Sequence, residues 1–227
     1  MHALEQIRRS IRHLNPDQVR EEAARPVPLG LEELASDPER SVREILLAYP
    51  DLSLALARRF PPFRKPAIAR IIRDISRDNA LFALFTALPS VVPNLISLGW
   101  TAGEFASDTA VLTVNQVRMA FLIAAASDRP VGYIEQKSQI ASIIAGAFGW
   151  RAIARELAGK IPFGEGLIPK AAIAYAGTHV VGLSLERYHR IGSALTGAER
   201  EAAYRQALES GKRLARWALG SRRVEAG

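Results

Sequence analysis

Lys160 to Gly182 reads KIPFGEGLIPKAAIAYAGTHVVG, a turn rich in proline and glycine that feeds a helix-length run of small and apolar residues. Side chains this small leave a helix backbone nearly bare. Neighbouring helices or lipid can then approach closely, and Gly and Ala contacts serve tight helix packing in both settings. Ala171 to Leu185 carries no charge. At 1.5 Å per residue it makes a helix of about 22 Å, short for a membrane span and comfortable inside a bundle. The stretch therefore predicts an all-α, multi-helix bundle around an apolar Ala/Gly-rich central helix.

Working upstream, Asn79 to Gly103 (NALFALFTALPSVVPNLISLGWTAG) holds no charged residue. It is long enough for a hydrocarbon layer of about 30 Å, but Pro89 and Pro93 interrupt it. A hairpin of two short helices, buried or re-entrant, is the expected form. A helix from about Thr101 to Ser127 follows and places Arg118 near its middle. An unpaired charge there would cost about 2.5–3.5 kcal/mol in lipid, so this helix is read as packed in protein. Two more helices lie between Ile134 and Gly159, jointed at Gly149.

Residues 1–78 read as short amphipathic helices, with each proline ending a helix or opening its first turn. Ser36 or Asp37 is expected to cap a helix carrying Val42, Ile45, Leu46 and Tyr49, and Ile68, Ile71, Ile72 and Ile75 form a second apolar stripe. At the other end, about Gly197 to Leu219 forms a basic amphipathic helix. Three regions result: a segmented helical region (1–78), an apolar helical domain (79–192), and a basic helix with its tail (193–227). No alternating β pattern stands out.

The net charge is +7, and residues 186–227 supply +4 of it. There is no cysteine, which excludes disulfides and thiolate chemistry and fits a reducing cytoplasm. The N-terminus lacks the apolar core of a secretory signal. The expected location is the cytoplasm, extending to the cytoplasmic face of the inner membrane.

Signs of enzymatic chemistry are few. The pairs Gly159-Lys160 and Gly211-Lys212 are followed by Ile161 and Arg213, so no phosphate-binding Gly-Lys-Ser/Thr loop is present. Glu165 puts a negative charge into the Pro162–Gly166 turn and argues against an anion cradle there. His2, His13, His179 and His189 are scattered without metal-ligand spacing, so no metal or cofactor is expected. Glu104 and Asp108 suit the start of a helix better than acid–base work. Gln116, Arg118, Thr178 and His179 are the polar groups on apolar helices. They either satisfy one another and buried backbone or line a small-ligand pocket within the bundle. Tyr204 and Trp217 are too sparse for a base-stacking platform, which speaks against nucleic acid. Arg213, Arg216 and Trp217, with Leu95 and Trp100 of the hairpin, are the candidate membrane or partner surface. Arginines flanking apolar side chains suit an anionic headgroup layer.

Two segments, TVNQVRMAFLIAAA from Thr113 and the opening stretch from Lys160, together resemble the YcjF-like bacterial domain of unknown function. The similarity covers about residues 79–192: the apolar hairpin, Gln116 and Met119, then Pro162, Gly164, Gly166, Thr178 and Gly182. That domain occurs alone, in proteins assigned to membranes, and downstream of small GTPase domains. The resemblance implies a membrane-linked helical module beside a GTPase or GTPase-like partner, and it brings no catalytic residues. Pro169, Lys170 and the N-terminal 78 residues depart from the pattern. The reading is a non-enzymatic accessory module. The alternatives are a soluble homo-oligomeric scaffold and a small-ligand binder.

Overall fold

The computed structural model describes residues 2–28, 30, 42–86, 108–145 and 167–225, and every regular element among them is a helix. In chain order these are α1 (His2–Ile11), α2 (Pro16–Ala23), α3 (Val42–Ala48), a 3-10 turn at Pro50–Leu52, α4 (Ser53–Arg59), α5 (Pro61–Phe85), α6 (Asp108–Ala126), a helical stretch at 137–145, α7 (Leu167–Ile191) and α8 (Gly197–Glu225). The chain forms the all-α bundle that its patterning predicts.

Proline chemistry sets several helix starts. Pro16 opens α2, where Asn15 Oδ1 accepts from the Asp17 N–H at 3.0 Å, and Pro61-Pro62 opens α5. Pro66 departs from the expectation that prolines mark ends, because it lies within α5. It sits just past the first turn and costs only the hydrogen bond to the carbonyl of the exposed Pro62, so the helix continues.

α5 also runs unbroken through the boundary drawn at 78/79. Ile68, Ile72 and Ile75 are buried along it, and so are Ala80, Ala83 and Leu84 beyond. The apolar spacing of the charged N-terminal part passes without interruption into the uncharged run, so one helix serves both. The rest of the expected hairpin lies outside the described residues, with Leu95 and Trp100, as do Ser36, Asp37, Glu104, Gly149 and the Pro162–Gly166 turn.

Two apolar clusters hold the helices together. The larger surrounds α6, which contacts α1, α2, α4, α5 and α7. Every residue from Met119 to Ala126 is buried, and Leu54, Leu56, Phe63 and Ile72 close around them. Phe121 meets the Tyr133 ring edge-on at 5.3 Å. The Tyr133 hydroxyl lies 2.6 Å from Ile11 O, and Arg20 Nε donates to Val131 O at 2.7 Å, which fastens the segment after α6 to α1 and α2. The smaller cluster is mostly alanine: Ala80, Ala171, Ala176, Ala207, Ala215 and Ala218, with Leu84 and Tyr175, between α5, α7 and α8.

Glycine makes the closest approaches. A Cβ on Gly211 of α8 would lie 2.7 Å from Ala172 Cα, and one on Gly182 of α7 would lie 2.7 Å from Ile72 Cγ1 and 3.1 Å from Met119 Sδ. α7 and α8 are antiparallel, since Gly211 meets Ala172 while Glu199 pairs with Arg187. The turn between them ends in a capping box, Thr196 to Glu199. The Thr196 N–H donates to Glu199 Oε2 at 2.8 Å, and the Glu199 N–H donates back to Thr196 Oγ1 at 3.3 Å. The Thr196 N–H, then Arg187 and the Thr196 hydroxyl, hold the Glu199 carboxyl down at about 2.

Candidate functional site

Where α5, α6 and α7 meet, between the two apolar clusters, lies a buried seam of amides and one hydroxyl. Asn79 Nδ2 donates to Thr178 Oγ1 at 2.8 Å and to Leu112 O at 3.3 Å. Gln116 Nε2 donates to the same Thr178 oxygen at 3.2 Å, and Asn115 Nδ2 donates to Asn79 Oδ1 at 2.7 Å. Asn79 and Thr178 are fully or almost fully enclosed, at 0% and 1% exposure, and Gln116 is buried as well. Buried polar groups are costly when unpaired, and here each amide finds a partner on a neighbouring helix. The seam therefore fixes the mutual register of three helices.

Two of the four polar residues expected at such a site are in it, Gln116 and Thr178. Arg118 is not. It is exposed, because two residues along an α-helix rotate a side chain by about 200°, away from the face that carries Gln116. Its charge acts on Asp78 instead. There, burial and then Asp74 raise the carboxyl, while Arg118 and Arg77 pull it back. His179 also stays out, turned one residue from Thr178 and stacked on Tyr175 with ring centroids 5.7 Å apart. Burial, and then Arg73, push its imidazole below the ordinary histidine range, and its Nδ1 is buried without a hydrogen-bond partner. Asn79 and Asn115 complete the seam, and the sequence reading missed both. Asn79 opens the uncharged run, and its spacing from Ile72 and Ile75 puts it on the buried face of α5.

Of the residues quoted for the expected YcjF-like likeness, four lie in two pairs, and Pro162, Gly164 and Gly166 fall outside the described residues. Gln116 reaches Thr178, and Met119 lies against Gly182, so Gln-x-x-Met on α6 and Thr-x-x-x-Gly on α7 are two sides of one parallel helix contact. This combination of residue types encodes packing.

Arg213 and Arg216 are exposed, and Trp217 is 58% exposed. The structure adds α5 to this surface: the Arg77 guanidinium lies 5.8 Å from the Trp217 ring centroid. Arg73 joins from the same helix. It and Arg213 both act on the Tyr175 hydroxyl, which burial pushes up. Asp74, beside them, pairs with Arg70 at 3.5 Å. The result is a basic face around one indole at the α5–α8 seam.

Among the described residues no group of three or more His, Asp or Glu side chains is arranged to hold a metal ion, and no helix is long and apolar enough to cross a membrane. No protein-family model, curated protein or solved structure matches this chain.

Proposed function

We propose that this chain is a non-enzymatic helical module that docks peripherally on an anionic membrane surface and works beside a GTPase or GTPase-like partner. The observation that carries the docking is Trp217. An indole this exposed, with Arg77 over its ring and Arg213 and Arg216 on the same helix, has the composition of a headgroup-layer anchor. Each basic side chain at an anionic surface adds about 1 kcal/mol, or about fivefold in affinity. On this reading the protein works at the cytoplasmic face of the inner membrane. The partner rests on the YcjF-like segments alone.

Co-sedimentation of the full chain with vesicles tests the docking. Binding to vesicles containing phosphatidylglycerol, absent with pure phosphatidylcholine and weakened about fivefold by each of R213Q and R216Q, is the expected result. Equal recovery of wild type and variants, or a soluble dimer indifferent to lipid in sedimentation velocity, would favour the scaffold alternative. Capture from the native host that returns a GTP-binding protein supports the partner.

A further inference from the structure

Beside the C-terminal half of α7, against the helical stretch 137–145, two adjoining clefts of about 430 and 670 Å³ share Gln139, Tyr188 and Gly192 in their walls. Both volumes suit small organic ligands. Their chemistry differs along α7. Ile143, Val180, Val181, Leu185 and Leu195 make the first cleft largely apolar. The second is bounded by Arg129, Glu135, His189 and Arg190.

Not all of those charges are free to meet a ligand. Arg190 pairs with Glu186 at 3.0 Å, whereas Glu135 forms no salt bridge among the described residues, the nearby Arg20 guanidinium being held by Asp17 and Val131 O. The Arg129 guanidinium makes no ion pair among the described residues, and His189 has Nε2 buried with no hydrogen-bond partner. Burial, then Arg129, keeps the His189 imidazole below its ordinary range. One end of an apolar groove thus carries a cation without an ion pair, Arg129, beside the His189 imidazole. Val181 and His189 are separated by about 12 Å at 1.5 Å per residue, which suits a medium-length chain.

The geometry points to a binding groove for a free single-chain carboxylate, with the alkyl tail along Val181 and Leu185 and the carboxylate at Arg129. This goes beyond the proposed membrane docking. The Trp217 face lies at the other end of the α7–α8 hairpin, about 30 Å away along α7. It also differs from a pocket within the bundle, because the polar seam there is closed by its own hydrogen bonds.

Calorimetric titration of the full chain with monomeric hexanoate, octanoate and decanoate tests the groove. Each buried methylene should tighten binding about fourfold, and uncharged decanol should bind at least about tenfold more weakly than decanoate, the loss of one charge-assisted contact. R129Q is expected to abolish the preference for decanoate over decanol. R200Q, at the apolar end, should keep it. A194W, at an exposed position lining the apolar cleft, should block both ligands while thermal melting shows the fold intact. Lack of saturable decanoate binding overturns the proposal, as does affinity independent of chain length or binding unchanged in A194W. Loss of the charge preference in R200Q rather than R129Q overturns the placement of the carboxylate. Uptake of vesicle lipid without monomeric decanoate overturns the ligand class.

Discussion

The α6 core and the α7–α8 seam are both buried and both helical, yet they hold together by opposite means. Around α6, large side chains such as Phe63, Phe121, Leu54, Leu56 and Ile72 are almost wholly enclosed, so cohesion comes from apolar volume removed from water. Between α7 and α8 the buried residues are chiefly alanines, and Gly211 sits so near Ala172 that a single added carbon would strike backbone. There cohesion comes from closeness. The first region should suffer from lost volume and the second from added volume.

Phe121→Ala attacks the first means and carries the largest expected effect, about 3–5 kcal/mol of stability in urea unfolding. Gly211→Ala attacks the second. Alanine should improve helix propensity by about 1 kcal/mol, but its methyl would lie 2.7 Å from Ala172 Cα and 3.0 Å from Ala172 O. We expect overpacking to prevail with a net loss of about 1–2 kcal/mol. A more stable G211A protein would refute the close approach. Gly182→Ala should cost less, because the obstructing atoms belong to the Ile72 side chain rather than to backbone.

The polar seam between the two regions gives the next effect. Asn79→Ala removes bonds to Thr178, Asn115 and Leu112 O and should cost about 1–3 kcal/mol. Combined with Thr178→Val, the two losses should be less than additive, with a coupling of about 1 kcal/mol. Strict additivity would show that the two side chains act independently.

The smallest effect is the dependence on pH. Burial favours the neutral form of His179, so the folded state binds its proton less readily than the unfolded chain, whose value is near 6.5. Stability should be complete above that value and decline as pH falls through 6.5 towards the depressed folded value. His189 acts in the same direction. His179→Phe should flatten part of this slope, and an unchanged slope would mean that the ring is not buried as described. At more acid pH the Glu199 carboxylate, held at about 2, adds its own decline between the ordinary carboxylate value of 4.5 and 2.

Much of the architecture was legible because it depends on periodicity. The Ile68–Ile72–Ile75 stripe, the uncharged alanine run and the basic final helix are repeating signals, and each became a helix where expected. The polar seam was only half legible. Gln116 and Thr178 announce themselves as polar residues in apolar company, but which side of a helix each faces depends on its neighbours. Arg118 shares the segment and points away. Asn79 was obscured by a boundary drawn on charge, where the helix continues regardless of charge. The basic face around Trp217 needed tertiary contact, because Arg73 and Arg77 are far from it in sequence. The capping box at Thr196 is spelled out in Thr-Gly-Ala-Glu, but its threonine follows an unremarkable turn and does not stand out.

The central claim, that the Trp217 face meets an anionic membrane, is tested most directly by the fluorescence of that indole. The chain has three tryptophans, so replacing Trp100 and Trp150 by phenylalanine isolates Trp217. Vesicles containing phosphatidylglycerol should shift its emission to shorter wavelength and expose it to quenching by brominated acyl chains, and phosphatidylcholine vesicles should leave it unchanged. Binding to the same anionic vesicles with emission and quenching unaltered would contradict the account, because the membrane would then meet some other face.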